Sequence, residues 1–187
     1  SGESAGIIKS MKNYREIDLI TTSYGYGIGI NPLQLINAYT AIANKGELLV
    51  PHFVYKIKDT DSETETIVGK KEVIRRVISE GTAKRLVKMM INVVDRGTGV
   101  NARINGFYIA GKTGTANKLD PKTKKYIKGA NVTSFCGFFP ATEPQYTILI
   151  IVDDSKKYKY GGQTSAPIFR EIAQQIISIR NIKSDRA

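Results

Sequence analysis

Three observations predict an α+β fold, an antiparallel sheet flanked by helices. The periodic segments run helix, short strands, helix, three strands, helix, without the strict strand–helix alternation of a parallel sheet. Two strand candidates, 132–139 and 146–152, are joined by a short link containing Pro140, which makes them antiparallel neighbours. Each helical segment carries one apolar stripe, so each must cover something else. The chain has 187 residues, enough for one ordinary domain with a real core. Its 41% hydrophobic and 24% charged content is that of a globular protein.

Residues 1–20 show little regular pattern and read as an entering loop. Gly25, Gly27 and Gly29 then alternate with Tyr24, Tyr26, Ile28 and Ile30, a tight turn into the next helix. Neither of the common phosphate-binding glycine patterns is complete there. Asn31 is a good N-cap and Pro32 suits the first helical position. Leu35, Ile36, Tyr39, Ile42 and Ala43 follow at helical spacing, and Gly46 is the expected left-handed cap. Residues 48–58 read as a strand, 59–65 as a turn, and 67–68 and 73–78 as short strands. Segment 48–78 is therefore a candidate strand-rich subdomain. Ser79 and Thr82 compete as N-cap of a second helix with an apolar face of Leu86, Val87, Met90, Val93 and Val94. Gly97-Thr98-Gly99 ends it. Strands are expected at 107–112, 132–139 and 146–152, the first two separated by a connection long for a hairpin. Pro167 opens a last helix whose core face holds Phe169, Ile172, Ala173, Ile176 and Ile177. The polar tail from Asn181 is expected to fray.

The net charge is +11, which favours anionic partners. Lys118, Lys122, Lys124, Lys125 and Lys128 lie between two strand candidates, and Lys156, Lys157 and Lys159 beyond the last. Lysines in loops are ordinarily just solvated, and no nucleic-acid-binding module accompanies them, so no nucleic-acid partner is expected. The single cysteine, Cys136, excludes an internal disulfide and a Cys-based zinc site. It lies in an apolar run and reads as a buried thiol. The one histidine, His52, lies beside Pro51 in a strand-like segment and reads as structural. No His/Cys/carboxylate cluster has ligand spacing, so neither metal nor cofactor is expected.

The chemistry concentrates in Ala110-Gly111-Lys112-Thr113-Gly114-Thr115-Ala116. Lys-Thr-Gly after a strand sits on or at the end of an edge strand, whose free backbone groups can pair with an extended peptide. Gly114 lets a ligand backbone approach closely. The Thr113 and Thr115 hydroxyls can bind a carboxylate, Lys112 adds a positive charge and three donors, and the Thr115 amide can serve an oxyanion hole. Alone, the tripeptide also fits a solvated loop.

The surrounding segments decide between these readings. The chain resembles the transpeptidase domain of class B penicillin-binding proteins. Gly2-Glu3-Ser4-Ala5-Gly6 resembles the stretch that follows Ser-x-Asn in that family, and the segment from Gly27 to Gly46 its glycine turn and helix. Val93-Val94-Asp95-Arg96-Gly97-Thr98-Gly99, the Ala110 to Ala116 motif, Ser134 to Pro140, and Tyr160-Gly161-Gly162-Gln163 through Pro167 follow in the family's order. The resemblance implies an antiparallel sheet flanked by helices, and a serine that attacks the penultimate D-alanine carbonyl of a peptidoglycan stem peptide. An amine of a neighbouring strand takes the acyl group, and β-lactams acylate the same serine. By the motif, Lys112 would support proton transfer and the anionic site, and Thr113 and Thr115 would bind the substrate carboxylate around Gly114. The Thr115 amide would be one of two oxyanion donors.

One departure is plain. The family's two other motifs, Ser-x-x-Lys with the nucleophile and Ser-x-Asn, are absent: no serine has Lys three residues on or Asn two residues on. Residues 1–187 are therefore expected to be the C-terminal portion of a longer transpeptidase domain, inert alone. The parent would work at the extracytoplasmic face of the bacterial inner membrane, anchored by an upstream helix. An open sheet edge at 146–152 also points to a homo-oligomer of the chain by itself. Two alternatives stay open: a non-catalytic module that binds cell-wall peptides, and a serine β-lactamase or β-lactam sensor. Septal and lateral roles are not distinguished.

Overall fold

The computed structural model describes residues 5–60, 62, 64–120, 122–123 and 125–186, with Met11 described by its backbone alone. Gly2-Glu3-Ser4 and Lys124 lie outside them.

The expected loop at the start contains a helix, α1 (Glu16–Ser23). The Asp18 carboxylate accepts from the Arg15 backbone N–H and from the Arg15 and Lys9 side chains. Glu16 and Asp18 also suit the positive end of the helix dipole. None of its residues is buried, and Ile17, Leu19 and Ile20 are exposed. Ile7 and Gly29 then form an isolated antiparallel bridge that ties the entering segment to the glycine turn.

Helix α2 (Pro32–Ala43) begins as expected. Asn31 Oδ1 accepts from the Gln34 amide at 2.8 Å, and Gln34 Oε1 accepts from the Asn31 N–H at 3.0 Å, a reciprocal capping box. Its end follows expectation at Gly46, with one addition. Lys45 already takes the left-handed conformation (φ 56°) and Gly46 follows at 91°. The Gly46 N–H reaches back to the Ala41 carbonyl at 2.8 Å. A Cβ on Gly46 would overlap the Ile78 carbonyl, so this glycine also admits the returning strand.

The single strand expected over 48–58 is two. β1 (Glu47–Leu49) pairs antiparallel with β4 (Val73–Arg76), and β2 (Lys56–Lys58) with β3 (Glu65–Ile67). The chain changes partner around Pro51, which has no N–H to give a ladder. Glu47 pairs with Arg76 at 2.8 Å across β1 and β4. Every residue of β2, β3 and β4 is exposed. Helix α3 (Glu80–Arg96) is capped by Ser79, whose hydroxyl accepts from the Thr82 amide at 3.1 Å. Thr82 therefore loses the competition and lies inside the helix.

The main sheet has order β5–β6–β7, with β5 (Ala110–Leu119), β6 (Tyr126–Phe139) and β7 (Tyr146–Asp153), antiparallel throughout. β5 starts three residues later than expected and continues through the motif. β6 starts six residues earlier. The connection read as too long for a hairpin is mostly strand, because pairing with β6 extends β5 into a polar segment with no alternation to reveal it. Directly paired residues share a face. Phe135 and Phe139 point toward helix α4 (Ser165–Arg180), where they pack with Phe169 and Ala173. Phe138 and Ala110 meet Met90 of α3 on the other face, against which Tyr39 and Ile42 of α2 also pack. Helices thus cover both faces. Ile172, expected in the core, is 37% exposed, whereas Ile176 and Ile177 pack as expected. Cys136 is buried as expected.

The tail does not fray. Asn181 caps α4 in the left-handed conformation and Ile182 packs on the core. The Asp185 carboxylate accepts from the Tyr108 amide (2.8 Å), the Thr142 amide (3.2 Å) and the Thr142 hydroxyl (2.7 Å). Arg186 pairs with Asp95 at 2.6 Å and lies over the Tyr108 ring. Polar side chains with partners hold this segment where no apolar pattern foretells it.

Candidate active-site wall

The motif lies inside β5, at the edge of the sheet. Lys112, Thr113, Gly114 and Thr115 pair with Cys136, Phe135, Ser134 and Thr133 of β6. Among the described residues no strand pairs with the other side of β5. Thr113 and Thr115 share the α4 face, while Lys112 and Gly114 share the face with Cys136 and Ser134. From the open edge all four are within reach of one extended ligand.

Lys112 is exposed, and its ammonium donates to its neighbour's carbonyl, Thr113 O, at 2.8 Å. Gly114 does something besides leaving room for a ligand. A Cβ there would overlap Ser134 Oγ, so the glycine also lets Ser134 of β6 sit directly opposite.

Two segments that sequence reading did not assign to the site brace it from the Thr113–Thr115 side. After α3, the Thr98 hydroxyl meets the Thr113 hydroxyl at 2.7 Å. Between β7 and α4, the Gly161 amide donates to Thr115 Oγ1 at 3.3 Å. The second segment is itself held. Asn101 Nδ2 donates to Gly162 O at 2.7 Å, and the Thr164 hydroxyl donates to buried Thr133 Oγ1 at 2.8 Å. A Cβ on Gly161 would overlap the carbonyls of Ser134 and Gly114, and one on Gly162 that of Thr98. The doublet is what permits this close approach, and together with Gly97-Thr98-Gly99 it is the signal that could have placed both segments at the site.

Behind the wall the Cys136 thiol is 2% exposed, and burial pushes it up to about 12. It stays a protonated thiol, not a nucleophile. Burial, and secondarily Cys136, also raises the Tyr39 hydroxyl above its ordinary value. His52 is exposed, and its ring lies close against Gly69. A cavity of about 350 Å³ lined by Pro140, Thr142, Gln145, Asn181, Lys183 and Asp185 lies beside the tail, at the Phe138–Pro140 end of β6 and not at Thr133. Its place makes it no part of the wall. No group of His, Cys, Asp and Glu among the described residues could hold a metal ion.

An open Lys-Thr-Gly-Thr edge strand, braced by a glycine doublet on a sheet covered on both faces by helices, is the arrangement that the resemblance to penicillin-recognising serine enzymes implies. The family model of the penicillin-binding protein transpeptidase domain matches residues 1–174, and the chain belongs to that family. It is 33% identical over 183 residues to a probable peptidoglycan D,D-transpeptidase, PenA, of Neisseria flavescens, covering 97% of this chain and 42% of that protein. It is 34% identical over 185 residues to stage V sporulation protein D of Bacillus subtilis, covering 97% of this chain and 28% of that one. The crystal structure of penicillin-binding protein 3 from Mycobacterium tuberculosis superposes with a TM-score of 0.85 at 30% identity, over 98% of this chain and 43% of that one. The chain thus spans less than half the length of these relatives. The α+β reading and the class B resemblance hold.

Proposed function

We propose that residues 1–187 are one portion of a peptidoglycan D,D-transpeptidase domain, and that they form the wall against which the acyl donor is held. The observation that carries this reading is the free edge of β5 at Lys112, Thr113, Gly114 and Thr115, where an extended peptide can add as a strand. Thr113 and Thr115 bind the terminal carboxylate, and the Thr115 amide contributes to the oxyanion hole. Lys112 supports the proton network of the attacking serine, which lies outside this sequence, and the anionic site. β-Lactams then occupy the same edge; structures of the Mycobacterium tuberculosis relative complexed with aztreonam and with ampicillin support this. Residues 48–78 form an exposed strand-rich lobe of the domain. The names of the relatives, peptidoglycan D,D-transpeptidases, support a role in cell-wall synthesis, and the parent protein works at the outer face of the cytoplasmic membrane. No described helix is long and apolar enough to cross a membrane.

Labelling with a fluorescent penicillin tests this. The chain extended to include a Ser-x-x-Lys segment should label, and residues 1–187 alone should not. Lys112→Ala in the extended protein should reduce acylation about 100-fold or more. Failure of the extended protein to label would favour a non-catalytic peptide-binding module instead.

A further inference from the structure

The wall continues into a basic rim. Past Thr115, β5 and β6 project as a hairpin carrying Lys118, Lys122, Lys125 and Lys128. The loop after β7 carries Lys156, Lys157 and Lys159, all exposed, and ends at the Gly161 amide that touches Thr115. Lys118 joins the two, since it pairs with Asp153 at 2.7 Å, and the Asp154 amide donates to Asn131 O at 2.8 Å at the root of the loop.

The carboxylates of this region are already engaged. Asp153 holds Lys118, Asp154 holds Lys156 at 2.6 Å, and Asp120 accepts from the amides of Lys122 and Thr123. Lys122, Lys125, Lys128 and Lys159 form no ion pair among the described residues, and Lys157 lies only over the Tyr158 ring, 5.1 Å away. This cluster has a direction. A peptide lying along the free edge of β5 advances about 3.3 Å per residue, so residues roughly three to six positions beyond the one at Thr115 run alongside the lysines.

Resting on the reading of the wall given above, we propose that this rim binds the additional carboxylates of a polyanionic peptide substrate, and so selects acidic peptides over those whose only charge is the terminal carboxylate. Its position argues for a peptide over a lipid surface, because Lys118 lies on β5 itself, three residues past Thr115, and the loop of Lys156, Lys157 and Lys159 ends at the Gly161 amide on Thr115. Exposed charges act over about a Debye length, so the preference is salt-dependent.

The test uses the whole transpeptidase, serine segment included. Two synthetic peptides end in D-alanyl-D-alanine; one carries two internal Glu residues and the other Gln in their place. The kcat/KM ratio of Glu peptide to Gln peptide should be about tenfold at low salt and fall toward one as salt rises. It should also fall toward one in the variant Lys122→Gln, Lys125→Gln, Lys128→Gln, Lys157→Gln, Lys159→Gln. A ratio near one in the unmodified enzyme, or one unmoved in the variant, overturns the proposal. So does rim-dependent sedimentation with phosphatidylglycerol vesicles when the peptide ratio stays flat, which would assign the lysines to lipid. Fluorescent penicillin separates the levels of failure: labelling with a flat ratio sinks the rim alone, whereas no labelling sinks the wall and the rim together.

Discussion

At the scale of residues, small or buried groups do the deciding. Gly161 approaches two backbone carbonyls, Ser134 and Gly114, that cannot swing aside as a side chain can. Gly161→Ala should therefore push its loop off β5, break the bond to Thr115 and cost about 1–3 kcal/mol. Thermal unfolding of the variant reads this, and an unchanged melting temperature would contradict the packing described. Cys136 makes a second prediction. In the unfolded chain a thiol loses its proton near pH 8.5, but in the fold it holds it up to about 12. Between these values the folded state binds more protons than the unfolded one, so stability falls as pH rises through that window. Tyr39 acts with the same sign at the top of it. Denaturant melts at pH 8 and pH 10.5 should show the loss, and Cys136→Ala should flatten the slope. A thiol reagent at pH 8 should react only as the chain unfolds.

At the scale of elements, the last residues behave as a strap. Asp185 satisfies two amides and a hydroxyl on segments before β5 and after β6, and Arg186 reaches the end of α3. Asp185→Ala leaves two backbone amides to find new partners and should cost about 1–3 kcal/mol. Urea denaturation measures it, and a change within about 0.5 kcal/mol would show that the tail merely rests there. Elements also show where local signals sufficed. α2 and α3 were readable because Asn31-Pro32 and Ser79 are strong starts followed by apolar stripes. α1 and the outer half of β5 were not. One buries nothing, and the other is a polar strand made only by its partner.

At the scale of the whole molecule, much apolar surface is open. Ile7, Ile8, Leu19 and Phe53 are 76%, 62%, 65% and 90% exposed, and β7 has no strand on its outer side among the described residues. Exposed large apolar side chains and an open strand edge mark contact surfaces. Residues 1–187 alone should therefore self-associate, and the chain carrying the remainder of the domain should not. Sedimentation velocity across roughly 1–100 μM would read the difference, and a monomer throughout would show that these surfaces are tolerated in water.

The sequence by itself determined the α+β class, the family and the motif Lys112 to Thr115, because caps, apolar periodicity and a short chemical signature are local and survive without neighbours. It left the brace around the motif undecided. That Thr98 meets Thr113, that Gly161 touches Thr115, that Ser134 fills the space beside Gly114, and that Asp185 ties down the tail are pairings between residues 15 to 77 positions apart. Only chain closure brings such groups within hydrogen-bond reach. The tertiary structure alone therefore decided how the edge strand that carries the motif is braced.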